Sequence, residues 1–483
     1  MNFDVSTIKG LSEDSRAVKK GYLFAALPGC KVDGRDYINA AIEHGASVIL
    51  APEGTQLPPG VKDVKLLTDP NPRQALAKLA AQFYARQPEH IAVVSGTNGK
   101  TSTTLFVQQL WTAAGYNAAS LGTLGVRCAG VVKSGAMTTP GPVALQAGLA
   151  ELAAEGVTHL AMEASSHGLD QYRLDGVEFE AAGFTNLSHD HLDYHGSMEE
   201  YFTAKARLFE ELLPESGVAV LNADIPEFEK LQEICKRRGV KILSYGHHGK
   251  DLKILSVKPA GHGQDLELGI TGAHKDITLP LVGEFQVMNA LCALGLVIAN
   301  DPAKKEIYIE ALEKLQGAPG RLQLVPGHPG AAVYVDYAHT PDALENILKA
   351  LRPHTKGKLV CVFGCGGNRD KAKRPVMGAV AGQYADLTIV TDDNPRGENP
   401  ADIRAAILSS VPSSQQIADR REAITTAITQ LETGDVLVIA GKGHEQGQIF
   451  ASHTTHFDDV EEAGKAIAYL EHQEPSKEEE KKV

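Results

Sequence analysis

The chain has 483 residues, enough for two to four domains at about 100–200 residues each. Its composition, 43% hydrophobic and 22% charged, is that of an ordinary globular protein. A net charge of -13 argues against a nucleic-acid or membrane surface, where basic patches are expected. It leaves room for local anion binding by backbone amides and a lysine. The six cysteines are sparse and scattered, which favours a reducing compartment over a disulfide framework. Cys361 and Cys365 stand near each other in LVCVFGCGGN, without a second pair or a His cluster, and read as a strand and a loop cysteine rather than a zinc site. The opening MNFDVSTIKGLSEDSR lacks the apolar core of a signal peptide, and no apolar run reaches the roughly 20 residues that span a bilayer. The expectation is a cytoplasmic protein that binds neither membrane nor nucleic acid.

Three blocks follow in chain order. To about Pro88, strand-like pieces (GYLFAAL, ASVILAP, DVKLLT) alternate with helical ones (YINAAIEHG, QALAKLAAQFYAR), and ARQPEH reads as a linker. The second block opens with HIAVVSGTNGKTSTTLFVQQLWTAAG, an apolar strand, a glycine-rich turn and a long helix. THLAMEAS, AAGFTNL and GVAVLN follow as short apolar runs ending in polar residues, the pattern of a parallel α/β sheet. ILSYGHHGKDLKILSV and DLELGITGAHKDITLPL predict an antiparallel annex, and GEFQVMNALCALGLVIA a helix. A third block starts near Leu322, with strands in AAVYVDYAHTPDAL, KLVCVFGCGG, DLTIVTDDNP and GDVLVIAGKG. Each ends in a polar or glycine-rich turn, where open α/β sheets bind their ligands. The tail EHQEPSKEEEKKV is charged and non-periodic and predicts disorder over 471–483.

The segment SGTNGKTST predicts a phosphate loop. A glycine-rich turn before a helix exposes backbone N–H groups to an anion, the helix N-terminus adds partial positive charge, and a lysine reaches the terminal phosphates. Gly96, Thr97, Asn98, Gly99, Lys100, Thr101 and Ser102 supply it, in a form shorter than G-x-x-x-x-G-K-[ST] because position 94 is Val. Thr101 is the natural first ligand of a phosphate-bound Mg²⁺, and Glu163, ending another strand, can converge on the same sheet edge. NLSHDHLDYHG resembles the H-x-H-x-D-H run of zinc hydrolases but has one residue too many before the last His. His189 and His195 read rather as structural hydrogen-bonding groups, and a His here could also position Mg²⁺ or phosphate. On pattern alone Lys205, in MEEYFTAKARLFEELL, is a surface helix lysine.

SGTNGKTST, MEASSHGLDQYRLDGVEFEAAGFTNLSHDHLDYHGSMEEYFTAKARLF, GEFQVMNALCAL, GRLQ, VDYAHTPDAL, FGCGGNRDKAKRPVMG, TDDNPRGENP and GKGHEQGQ together resemble the Mur ligases. The resemblance runs from Asp14 to Glu445. It implies an α/β protein of three domains: a UDP-binding domain (1–88), a central ATP-binding domain with a P-loop-type parallel sheet (89–321) and a Rossmann-like C-terminal domain for the incoming amino acid (322–470). It implies ATP and Mg²⁺ as cofactors, small-molecule substrates and a monomer. The implied reaction joins an amino acid to the D-glutamate of a UDP-muramoyl dipeptide through an acyl phosphate.

The resemblance also assigns residues. Lys100 contacts the β/γ-phosphates, Thr101 and Glu163 hold one Mg²⁺, and His191 supports a second. Lys205 matches the family's carbamylated lysine. Asn289, Arg321 and Asp336 match positions near the adenine, phosphate and ribose. Ser15 and Cys30-Lys31-Val32 match the uridine side; the family often has His-Gln in place of Cys30-Lys31. Thr138, Thr139, Ser165, Gln171 and Arg173 match the muramoyl-peptide side. Arg369, Asp393, Asn394, Pro395, Arg396, Gly441 and Glu445 match positions that hold meso-diaminopimelate. Its far end carries a second amino and carboxylate pair. An arginine pairs with that carboxylate through two parallel hydrogen bonds, which L-lysine leaves unused. Arg396 thus favours diaminopimelate, the alternative being the lysine-adding branch of the family. A folylpolyglutamate synthase fits the N-terminal block less well. A catalytically silent nucleotide-binding regulator is opposed by intact Lys100, Glu163, His191 and Lys205.

Overall fold

The structure, a computed structural model, describes residues 3–29, 32–128, 131–133 and 137–471. Cys30, Lys31 and all of the C-terminal tail except Glu471 lie outside the described residues. Two compact units are present. One comprises the chain up to Leu255 with Leu268–Lys275 and Met288–Leu312. The other comprises Ser256–Glu267, Asp276–Val287 and the chain from Glu313.

The first unit contains one wholly parallel sheet and one larger sheet with a parallel core. The smaller has four strands in chain order, Gly10–Ser12, Tyr22–Ala25, Val48–Pro52 and Lys65–Asp69. Helix Pro72–Tyr84 buries Ala75, Leu76 and Leu79 against it. That helix starts where the sequence dictates: Asn71 caps Gln74 N–H at 3.2 Å, and Pro72 occupies the first turn, where no N–H partner is needed. In the larger sheet, Lys241–Gly246, Val218–Asn222, Ala181–Phe184, His90–Ser95, His159–Glu163 and Ala118–Gly122 are parallel neighbours in that order. Their residues are nearly all buried, as strands covered on both faces require. The antiparallel annex predicted after this sheet begins differently. Leu252 and Lys253 pair in parallel with Tyr245 and Gly246, because His247–Asp251 loops back to run the chain in the same direction.

The second unit has a sheet ordered Gln323–Val325, Ala332–Asp336, Val436–Ala440, Leu359–Phe363, Leu387–Val390 and Gln415–Gln416. All neighbours are parallel except the first pair. Period-2 alternation sends Ala332, Tyr334, Cys361, Phe363 and Val438 to one face, under helices Pro341–Leu351, Lys373–Tyr384 and Pro400–Leu408. Val333, Val335, Val360, Val362 and Ile439 go to the other, under Arg420–Thr429 and Asp459–Glu471. Arg420, fully buried, donates from Nε and Nη2 to Asp459 at 2.7 Å each and from Nη2 to the Ala440 carbonyl at 2.9 Å. One guanidinium thus ties two helices to the end of a central strand.

A buried histidine gives the first unit a pH dependence. His159, at the start of its strand, stacks on Tyr116 with ring centroids 3.9 Å apart and meets Trp111 and His90 at 5.1 and 4.6 Å. Burial, reinforced by neighbouring His90, pushes its pKa down to about 4. The unfolded chain takes up this proton near pH 6.5, while the folded chain resists it. The stability from neutral His159 is therefore complete above about pH 6.5 and is lost as pH falls toward 4. Urea midpoints at pH 7 and 4.5 should converge in His159→Phe relative to the parent protein.

Candidate functional site

The strand His90–Ser95 leaves its sheet through Gly96–Gly99 and enters helix Lys100–Ala113. Gly99 has φ 85°, and a Cβ there would run into the Asn289 side chain. Only glycine fits the strain and the space. The loop is pinned along its length. Thr97 N–H donates to the Asn186 carbonyl and Asn98 N–H to Asn186 Oδ1, both at 2.9 Å. Lys100 curls back, its Nζ donating to the carbonyls of Gly96 at 2.8 Å and Thr97 at 2.7 Å. Thr101 and Ser102 are buried in the first helical turn, whose N–H groups have no intrahelical acceptor.

Glu163 ends the neighbouring strand and is buried. Its Oε1 accepts from Thr101 Oγ1 and from Thr123 N–H, each at 2.9 Å, and its Oε2 accepts from Thr123 Oγ1 at 3.2 Å. All these donors are neutral. A buried carboxylate beside a threonine hydroxyl is a donor set that suits a hard cation.

Lys205 is 1% exposed, so the surface-lysine reading from pattern is wrong. Its helix, Met198–Arg207, buries Tyr201 and every position from Ala204 to Arg207, which a one-face pattern does not anticipate. Lys205 Nζ donates to the Gly96 carbonyl at 2.7 Å and lies 4.6 Å from the centre of the Tyr201 ring. Burial, then the nearby Lys100 charge, holds its pKa well below the lysine range. A lysine nitrogen is a poor ligand for a hard, oxygen-seeking cation, so Lys205 fits such a metal site only with oxygen ligands added, as a carbamate supplies. His191, half-exposed at φ 53°, lies with its ring 5.0 Å from that of His167 and its Nε2 3.4 Å from Asp190. His195 corrects another expectation. It is buried among the rings of His167, Tyr194 and Tyr201, and its Nε2 has no hydrogen-bond partner among the described residues.

The residues matched to the muramoyl peptide form one network. Arg173 Nη1 donates to the Thr139 carbonyl and its Nη2 to Gln171 Oε1, both at 2.7 Å. Thr139 Oγ1 donates to the Glu163 carbonyl and accepts from Ser165 N–H, both at 3.0 Å. Thr138 Oγ1 meets Thr123 Oγ1 at 2.9 Å, which links the network to Glu163. Ser165 Oγ caps the short helix Ser166–Asp170. Ser15 is buried, its carbonyl facing His44 Nδ1 at 2.8 Å, and Val32 is exposed.

Asn289 belongs to the first unit, whereas Arg321 and Asp336 belong to the second. Asp336 Oδ2 accepts from Leu322 N–H at 2.6 Å and Oδ1 from Ala338 N–H at 2.7 Å. Burial raises its pKa, against the pull of Arg321 and these amides. Arg321 stacks on Tyr337, 4.6 Å from its ring centre.

Around Asp393–Arg396 the second unit gathers the residues matched to diaminopimelate, including Arg369, which is exposed on the adjoining Gly364–Asp370 loop and flanks Gly366 together with Arg396. Asn394 Nδ2 donates to Glu445 Oε2 at 2.8 Å. Arg396 has φ 53°; its N–H donates to the Ile449 carbonyl at 3.0 Å and its Nη1 to the Gly367 carbonyl at 3.1 Å. Gly441, at φ 115°, leaves room for Asp393 Oδ2. Asp393 and Asn394 are buried while Arg396 remains half-exposed. Thr123, Gln448 and Lys442 also belong to these sites. Gln448 Nε2 donates to the Asp393 carbonyl at 2.8 Å, and Lys442 is wholly buried beside Asn394. None carries a sequence signal: a lysine between two glycines reads as solvated.

Comparison with known proteins agrees with this architecture. Residues 7–84 match the Mur ligase family catalytic domain, 94–297 the Mur ligase middle domain and 320–443 the Mur ligase glutamate ligase domain. The chain is 52% identical over 472 residues to a UDP-N-acetylmuramoyl-L-alanyl-D-glutamate–2,6-diaminopimelate ligase from Caulobacter vibrioides, covering 95% of each. Against the protein of the same name from Mesorhizobium japonicum it is 50% identical over 462 residues, again covering 95% of each. A solved diaminopimelate ligase structure superposes with a TM-score of 0.74 at 36% identity, over 96% of both chains. The MurF ligase of Thermotoga maritima in complex with ADP shares the fold, with a TM-score of 0.61 at 18% identity over 97% of this chain and 100% of that one. The chain belongs to the Mur ligase family.

The buried Lys205 amine sits near another lysine and has one carbonyl partner, so its burial carries a desolvation cost that an apolar side chain of similar volume avoids. In Lys205→Met the urea midpoint of the ligand-free protein should hold or rise. A fall would mean that the lysine serves the fold.

Proposed function

We propose that the chain is an ATP-dependent amide ligase of peptidoglycan precursor synthesis in the cytoplasm. It adds meso-diaminopimelate to the D-glutamate of UDP-N-acetylmuramoyl-L-alanyl-D-glutamate. Residues 1–88 serve the UDP end, 89–321 ATP and the muramoyl peptide, and 322–470 the amino acid. The observation that carries the specificity is the Asp393–Arg396 turn. A half-exposed guanidinium is anchored at its own backbone and at Gly367, and a carboxylate, Glu445, stands on the same turn's amide. This suits a zwitterionic end: carboxylate to Arg396 in a paired hydrogen bond, ammonium to Glu445.

The chemistry follows from the reactants. A carboxylate resists amine attack because it is anionic and has a poor leaving group. Transfer of the ATP γ-phosphoryl to it gives an acyl phosphate and ADP. The amine then adds to the acyl carbon, and the tetrahedral adduct expels phosphate. Nothing here needs a protein nucleophile, so the protein's work is positioning and charge neutralisation. The Gly96–Ser102 loop offers backbone N–H groups to the phosphates, and Lys100 exchanges its loop carbonyls for β/γ-oxygens. Arg173, with Thr138, Thr139, Ser165 and Gln171, orients the dipeptide carboxylate beside that loop. Mg²⁺, when bound, supplies positive charge against the phosphate oxygens. Thr101 and Glu163 are the residues to hold it, with His191 and a carbamylated Lys205 serving a second ion. Low basicity at Lys205 supports that modification, since a neutral amine is the form that reacts with CO₂.

Phosphate release should require ATP, the muramoyl dipeptide and meso-diaminopimelate together. Equal or better turnover with L-lysine would favour the lysine-adding reading. In Arg396→Ala, KM for diaminopimelate should rise by about 10- to 100-fold, the scale of about 1.4–2.8 kcal/mol for a charged hydrogen-bonded pair, with KM for ATP unchanged. Equal losses for both substrates would make the turn scaffolding.

A further inference from the structure

Among the residues that the proposed reaction does not use, Lys442 is the most constrained. It follows Gly441 at the end of strand Val436–Ala440 and is 0% exposed, so it cannot touch a substrate. Its Nζ donates to the Gly447 carbonyl at 2.6 Å and to Asn394 Oδ1 at 3.0 Å, and lies 3.5 Å from Glu445 Oε2. A buried ammonium is costly unless its protons are matched and its charge countered, and both conditions are met here.

We infer that Lys442 is a positioning residue for the amino-acid substrate, acting through the Asn394 amide and the Glu445 carboxylate. The inference rests on reading the Asp393–Arg396 turn as the diaminopimelate site. Asn394 is the hinge of the argument. One atom of its side-chain amide faces two groups that can only donate, Lys442 Nζ and Ile449 N–H, both at 3.0 Å. That atom must be the oxygen, which fixes which way round the amide stands. The NH₂ is thereby committed to the other side, where one hydrogen goes to Glu445 Oε2 at 2.8 Å. Glu445 is held at the same oxygen from two directions, by Asn394 and by Lys442, while its side chain stays 33% exposed. Its other oxygen is therefore presented outward to an ammonium.

Charge adds a second consequence. Asp393 and Glu445 bring two carboxylates to this loop set, against Arg396, Arg369 and Lys442. Without Lys442 the local balance moves one unit toward negative. That disfavours a substrate carboxylate more than a substrate ammonium, and so acts against diaminopimelate more than against L-lysine.

Steady-state kinetics of Lys442→Met in the full chain test this. KM for meso-diaminopimelate should rise at least tenfold, with kcat and KM for ATP within about threefold of the parent. The diaminopimelate-to-lysine ratio of kcat/KM should fall. In an Asn394→Ala background, Lys442→Met should add less than threefold, because both act through one amide. Lys442→Gln, which keeps a neutral donor in the same cavity and spares the fold the loss of every hydrogen bond, should recover part of the affinity. The inference is overturned by an unchanged KM for diaminopimelate. It is also overturned by KM for ATP rising alongside with a collapsed melting temperature, or by the full effect persisting without the Asn394 side chain. If the parent chain turns over no meso-diaminopimelate, the functional reading fails as well; if it does and Lys442→Met matches it, only the role of Lys442 fails.

Discussion

Parallel strand pairing is the constraint on which each unit depends. It sends the carboxyl ends of the parallel strands to one edge of each sheet, so residues far apart in sequence arrive side by side. In the first unit, Val94 pairs with Glu163 and Ser95 with Phe184. The phosphate-type loop after Ser95 therefore emerges between the carboxylate of one strand and the Thr185–His191 segment of another. In the second unit, Asp336 and Phe363 both pair with Ala440. That register sets Gly441, the Gly364–Asp370 loop and the Thr391–Arg396 turn on a common edge. No single turn builds a site; the register does.

The cost of these sites is visible in their buried polar groups. Glu163, Lys205, Asp336, Asp393 and Lys442 are each less than a tenth exposed, in positions where an apolar side chain would pack more cheaply. Glu163, Lys205 and Lys442 are held by hydrogen bonds to groups of other elements, and Asp336 by one amide from a distant loop and one from its own turn. Arg420 shows the structural version of the same device, clamping Asp459 and the Ala440 carbonyl behind the edge that Gly441 opens. Rigid support of this kind matters for a ligase whose chemistry needs no protein nucleophile. Its rate rests on holding a carboxylate, a phosphoryl group and an amine in line.

Much of this was legible in the sequence, for identifiable reasons. Buried parallel strands read as short apolar runs, and their functional exits as glycine or polar punctuation, so SGTNGK, MEAS and TDDNPR announced themselves. Three features stayed hidden because they depend on what packs from elsewhere. Lys205, hidden to pattern though not to the family resemblance, sits in a last helical turn where Ala204 to Arg207 are all buried, which blurs the amphipathic signal that separates buried from exposed lysines. The strand from Leu252 starts in parallel pairing with Tyr245 and Gly246 where an antiparallel annex was expected. Thr123 and Lys442 support Glu163 and Asn394 across 40 and 48 residues, a pairing that only the folded register creates.

The central claim is that the dipeptide carboxylate is activated by phosphoryl transfer before the amine arrives. Label-transfer mass spectrometry tests it most directly, using a muramoyl dipeptide carrying ¹⁸O in the reacting D-glutamate carboxylate, with ATP and meso-diaminopimelate. An acyl phosphate places one ¹⁸O in the released phosphate for each amide bond formed. Amide product accompanied by unlabelled phosphate would contradict the account.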